Sequence, residues 1–179
     1  MLRFLVHIIL ILPIITSSWF YESYELPKFL LFLLCSLPIF IWSVFHLTQK
    51  TIIMLRNKNN ISALILPYTY IIFLGSLGIS SFMNENVSLG LWGQPYRYQG
   101  IIFLSCCGGL AYFVSHSHAD RLREYARTIA IVGIVSCVVV IVQYLVLNIF
   151  NISIAAYAGR PIGTFGNPNF AAGYIALSY

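Results

Sequence analysis

The feature that most constrains this chain is the length of its charge-free stretches. Six runs lack Asp, Glu, Lys and Arg: Phe4 to Tyr21, Phe29 to Gln49, Asn59 to Asn84, Tyr98 to Ala119, Thr128 to Gly159 and Pro161 to Tyr179. Each is about as long as, or longer than, the roughly 20 residues a helix needs to cross a bilayer. Hydrocarbon leaves no water to satisfy a peptide group, so an apolar span of this length must be helical. The pattern predicts an all-α, polytopic transmembrane helical bundle. Five complete spans are expected near 4–21, 28–48, 61–82, 100–117 and 128–149, with the start of a sixth near 170–179, all in a single incomplete transmembrane domain over 1–179. Pro38 and Pro67 are expected to bend their helices, which membrane spans tolerate. Composition points the same way. Apolar residues make up 59% of the chain and charged residues 8%, against about 25% charged in a soluble domain.

The N-terminal run, Arg3 followed by Phe4 to Ile15, has the outline of a signal peptide. No A-x-A site follows Thr16-Ser17-Ser18, so the run is read as a retained first span. The sixth segment, beginning near Phe170, offers only about half a crossing before Tyr179, so the chain is read as the N-terminal portion of a longer protein. Loop charges give an orientation. Arg3, Lys50, Arg56, Lys58, Arg121, Arg123 and Arg127 fall on one side, and Lys28, Arg97 and Arg160 on the other. The bias puts the N-terminus in the cytoplasm and the loops at 22–27, 83–99 and 150–169 outside. The net charge of +5 therefore speaks of topology and contact with membrane lipid, and no nucleic-acid partner is expected.

Two of the outer loops carry chemistry. Arg160 to Ala172 reads R-P-I-G-T-F-G-N-P-N-F-A-A. Asn167 suits a helix N-cap and Pro168 the first helical position. The free N–H groups and dipole of such a helix end favour an anion, and a nearby guanidinium makes phosphate the natural one. Leu89 to Gly100 reads L-G-L-W-G-Q-P-Y-R-Y-Q-G, with Trp92, Tyr96 and Tyr98 flanking Arg97. Aromatic faces there could meet a sugar and Arg97 a phosphate; the plainer alternative is an interfacial aromatic belt with a snorkelling arginine. Gly90, Gly93, Pro95 and Gly100 point to a shaped loop. The candidate diphosphate-binding residues are Arg160, Arg97, Asn167, Asn169, Gly163 and Thr164, on two basic turns expected to converge on one outer face.

Other constellations read as structural. His116-Ser117-His118-Ala119-Asp120 has metal-like spacing but reads as an interfacial turn, and His7 and His46 as anchors near the cytoplasmic ends of spans. Cys35, Cys106, Cys107 and Cys137 sit in apolar runs without C-x-x-C spacing and read as small hydrophobic filler. There is no P-loop, G-x-S-x-G, H-E-x-x-H or D-x-D. The middles of the spans lack charge, which argues against an ion-coupled transporter.

At its two outer loops the chain resembles the O-antigen ligase and polymerase family of bacterial membrane glycosyltransferases. Arg160, the run Gly163 to Tyr174 and, more loosely, Trp92 to Gly100 carry the likeness. It implies a polytopic helical enzyme of the bacterial cytoplasmic (inner) membrane. Such enzymes move a glycan from a polyprenyl diphosphate carrier to the hydroxyl of a glycan or lipid acceptor outside the cytoplasm, with no metal or other cofactor. Arg160 and Arg97 match arginines that hold the diphosphate. The family's catalytic histidine lies in a later outer loop, so the base is expected beyond Tyr179, and this portion alone is expected to transfer no glycan. Two readings compete: a transporter or flippase-like protein for lipid-linked sugars, which would show repeated halves with broken helices, and a non-enzymatic membrane scaffold.

Overall fold

A computed structural model describes residues 1–15, 25–57, 65–83, 86–93, 99–150, 156–157, 160–161, 172, 175–176 and 178. Within them the chain is all-α, with six helices and one minimal hairpin. The helices are α1 (Leu2–Ile11), α2 (Glu25–Asn57), α3 (Ile65–Met83), α4 (Val87–Trp92), α5 (Ile101–Ser115) and α6 (Ala119–Phe150). A 3₁₀ turn, Leu12–Ile14, extends α1. Pro13 explains the tightening, since it has no N–H to continue the α-helical ladder. The strands β1 (Ala156–Tyr157) and β2 (Arg160–Pro161) pair antiparallel, Tyr157 opposite Arg160.

Two helices are long and apolar enough to cross a membrane by length and composition. They cover Leu26–Ile53 and Ala119–Val146, 28 residues each, about 42 Å at 1.5 Å per residue. The first runs through Pro38 without a break in its helical assignment. The other three expected spans correspond to shorter apolar helices, Leu2–Ile14, Tyr68–Met83 and Ile101–Ser115. Several boundaries differ from the sequence reading. Helix α6 starts at Ala119, well before 128, and α2 continues to Asn57, past 48. Lys and Arg are good helix formers, so charge ends an apolar run without ending a helix. Helix α4 falls where the sequence reading has only loop.

By contacts the chain divides into two units. One comprises Arg3–Phe32 with His118–Tyr179. There the 3₁₀ turn and β2 lie against α6, and Val6, Ile9, Leu12, Tyr125 and Val132 are buried. The Thr128 hydroxyl donates to the Glu124 carbonyl at 3.0 Å. Its oxygen is thus left to accept from His7 Nδ1 at 3.1 Å, and the His7 ring meets Tyr125 edge-on.

The other unit, Leu33–Ser117, is held by small residues and buried polar contacts. Ser43 Oγ donates to the Gly109 carbonyl at 2.8 Å in a buried bond between α2 and α5. A methyl group on Gly109 would sit 2.8 Å from the Phe40 Cα. The Tyr70 hydroxyl of α3 donates to the Leu104 carbonyl of α5, and its ring fills the space beside Gly108. Close backbone approach at glycine, with hydroxyls bonding across helices, is how helices associate when their surroundings are apolar. The outer surface of this unit agrees: Leu34 is 71% exposed and Ile72 70%, with Ile41, Phe45 and Ile79 also exposed.

Candidate functional site

The loop between α4 and α5 is closed at its base by glycine. The Gly93 N–H donates to the Leu89 carbonyl at 2.8 Å, ending α4, and the Gly100 N–H donates to the Trp92 carbonyl at 3.3 Å. Gly93 has φ +87° and ψ 178°, a region essentially reserved for glycine. A Cβ there would lie 2.5 Å from the Gln99 nitrogen, and one on Gly100 would run into the Leu91 carbonyl. The backbone at Leu91–Gly93 thus touches the backbone at Gln99–Gly100. Gly90 lets α4 press against Ser81 of α3. The shaped loop expected from Gly90, Gly93 and Gly100 is therefore present at its base. Pro95, Tyr96, Arg97 and Tyr98 lie outside the described residues.

Trp92, where this loop begins, lines an open groove of about 410 Å³. Leu33, Leu37 and Phe40 of α2 form one wall, and Ile101, Ile102, Ser105 and Cys106 of α5 the other. Apart from the Ser105 hydroxyl, which donates back to the Ile101 carbonyl at 2.8 Å, the lining offers apolar surface and the Cys106 thiol. A chain of hydrocarbon is the chemistry such a groove accepts.

Arg160 opens β2, and its backbone pairs with Tyr157. The strand lies against α6. Gly163, Thr164, Asn167 and Asn169 lie outside the described residues, as does the expected N-cap. Beyond them Ala172, Ile175, Ala176 and Ser178 are helical. The space beside Gly133 of α6 is taken by Ser178.

A second polar cluster was not legible as such in the sequence. His46 and Lys50 of α2 meet Tyr112 and His116 at the end of α5. His46 Nδ1 lies 3.1 Å from the Tyr112 hydroxyl, and Lys50 Nζ lies 3.2 Å from His116 Nε2. His46 stacks on Trp42 with centroids 4.8 Å apart, and His116 lies 4.3 Å from the Tyr112 ring. The H-x-H spacing read as an interfacial turn resolves into two caps. His116 is the C-cap of α5, and the His118 carbonyl accepts the N–H groups of Arg121 and Leu122, opening α6. Among the described residues no group of three or more His, Cys, Asp or Glu side chains is placed to hold a metal. The four cysteines are free thiols, with Cys35 and Cys106 buried.

No protein-family profile, no curated protein and no solved structure matches this chain.

Proposed function

We propose that this chain binds the donor in a membrane glycosyltransferase of the O-antigen ligase kind. Its donor is a glycan on a polyprenyl diphosphate, and its acceptor is a glycan or lipid hydroxyl outside the cytoplasm. The observation that carries the reading is the glycine-closed loop of Gly93 and Gly100, beginning at Trp92 beside an apolar groove. An isoprenoid diphosphate has the matching halves, hydrocarbon and anion. Membrane insertion is supported by α2 and α6, by the three shorter apolar helices taken as further spans, and by the exposed aliphatic surface. Helix α5, about 22 Å long, is shorter than the roughly 30 Å hydrocarbon core. The N-terminus is cytoplasmic and the membrane is the bacterial inner membrane.

In the reaction, the acceptor oxygen attacks the anomeric carbon, the bond from that carbon to the diphosphate oxygen breaks, and the acceptor proton passes to a base. Negative charge grows on the departing diphosphate. A guanidinium fork fits two of its oxygens at once, and amide N–H groups after Asn167 would add donors. Arg160 is assigned to the diphosphate, aided by Gly163, Thr164, Asn167 and Asn169. Arg97 is the second outer arginine that the sequence offers.

Donor binding to the chain in lipid nanodiscs tests this. Arg160→Ala should weaken binding of a polyprenyl diphosphate roughly ten- to a hundred-fold, the loss expected for a hydrogen bond to a charged group. Arg160→Lys should recover only part, because a point charge lacks the planar fork. Arg97→Ala should have the smaller effect. Parent-like affinity in Arg160→Ala would remove this turn from the donor site.

A further inference from the structure

The cluster formed by α2 and the end of α5 carries a separate inference, independent of glycan transfer. The hydrogen bonds fix the protonation state of His116. Its Nδ1 lies 2.9 Å from the Tyr112 carbonyl oxygen, which can only accept, so Nδ1 carries the proton. The Ser115 hydroxyl oxygen is 3.2 Å from the same nitrogen. An ammonium can only donate, so Nε2 accepts from Lys50 Nζ. The imidazole is therefore neutral and serves as the partner of a cation. Among the described residues Lys50 meets this imidazole and no carboxylate. His46 completes the group, its ring 5.6 Å from that of His116 and stacked on Trp42. Among the described residues, the titratable groups facing His116 are His46 and Lys50 from α2 and Tyr112 from its own helix. His118 and Asp120 follow next in the chain.

We propose that Lys50, His116 and His46 form a proton-gated site for a phosphate-bearing anion. When a proton binds His116 Nε2, the bond from Lys50 is lost and two N–H groups, both cationic, face each other across the same gap. A phosphate group between them accepts from both and removes the repulsion. Protonation and anion binding therefore promote each other, and by linkage the effect is reciprocal. Protonated His46 adds a third donor to the same group. The phosphate could belong to an acidic lipid headgroup, since the site lies towards the C-terminal ends of the apolar stretch of α2 and of α5. It could also be soluble phosphate.

The test uses the full chain, with isotope-labelled histidine, in phosphatidylcholine nanodiscs. Inorganic phosphate is titrated at about pH 5.5 and about pH 8, a range that spans histidine titration. A parallel sample replaces part of the lipid with phosphatidylglycerol. The ring signals of His116 and His46 should move saturably at the lower pH, in one sample or both, and binding should be at least about tenfold weaker at the higher pH. Movement with phosphate identifies a soluble anion; movement only with phosphatidylglycerol identifies a headgroup. Lys50→Arg should keep the response, and Lys50→Gln should weaken it about tenfold or more. Ring signals that ignore both anions at both pH values would overturn the proposal, as would equal binding at the two pH values or by Lys50→Gln.

Discussion

At the scale of single residues, the glycines carry most of what can be tested. Gly109 and Gly75 are both helical, but a methyl group on Gly109 meets the Phe40 backbone at 2.8 Å, whereas one on Gly75 meets nothing within 4 Å. Gly109→Ala should therefore cost about 1–3 kcal/mol through overpacking, because backbone cannot step aside as a side chain can. Gly75→Ala should be neutral or stabilising by up to about 1 kcal/mol through helix propensity. Thermal unfolding of the two variants in the same detergent reads the difference, and equal midpoints would refute the close α2–α5 approach. Gly93→Ala should cost about 1–3 kcal/mol by forcing a side chain into a backbone region it avoids. It should also loosen the base of the Arg97 loop, seen as faster thiol labelling of a cysteine at Gln94. The sequence marks Gly93 and Gly100 as turn-formers from their company alone. It could not reveal that their backbones touch, because that depends on where α4 ends and α5 begins. The histidine cluster was hidden for a similar reason. His46 and Tyr112 are 66 residues apart, and so are Lys50 and His116; no local spacing joins them.

At the scale of elements, charge-free runs locate helices well and their ends poorly. The run from Thr128 to Gly159 marks the apolar part of α6, yet the helix begins at Ala119 because Arg121, Arg123, Glu124 and Arg127 all extend a helix comfortably. Helix α4 escaped because six residues containing Gly90 give too little periodicity to read; it is held by packing on α3 and α5. The hairpin has a faint local signal in the Ala158-Gly159 pair before Arg160-Pro161, masked by the Gly- and Pro-rich sequence after it. The orientation of these elements is a separate expectation, argued from seven basic residues against three. Single cysteines at Asn57 and at Gln94, in a chain lacking the native four, should label from opposite sides of a sealed membrane, with Gln94 reached from outside. Labelling of both from outside would refute it.

At the scale of the whole molecule, the described residues are apolar helices, and the proposal assigns a diphosphate to Arg160 and, as a second basic residue, Arg97. What was legible in the sequence is the helical class and the turn at Gly93 and Gly100, since both follow from residue type along the chain. Which helices cross the membrane, and what the loops hold, follow from tertiary arrangement and chemistry that hydropathy does not encode. The central claim is that a polyprenyl diphosphate binds at these loops. Photo-crosslinking tests it most directly. A polyprenyl diphosphate carrying a photoreactive group near the diphosphate is added to the chain in nanodiscs, irradiated, and its attachment sites mapped by peptide mass spectrometry. The account predicts labelled peptides within 86–100 and 156–172, competed away by excess unlabelled diphosphate and lost from the second segment in Arg160→Ala. Labelling that resists competition, or that falls on other segments and spares these two, would contradict it.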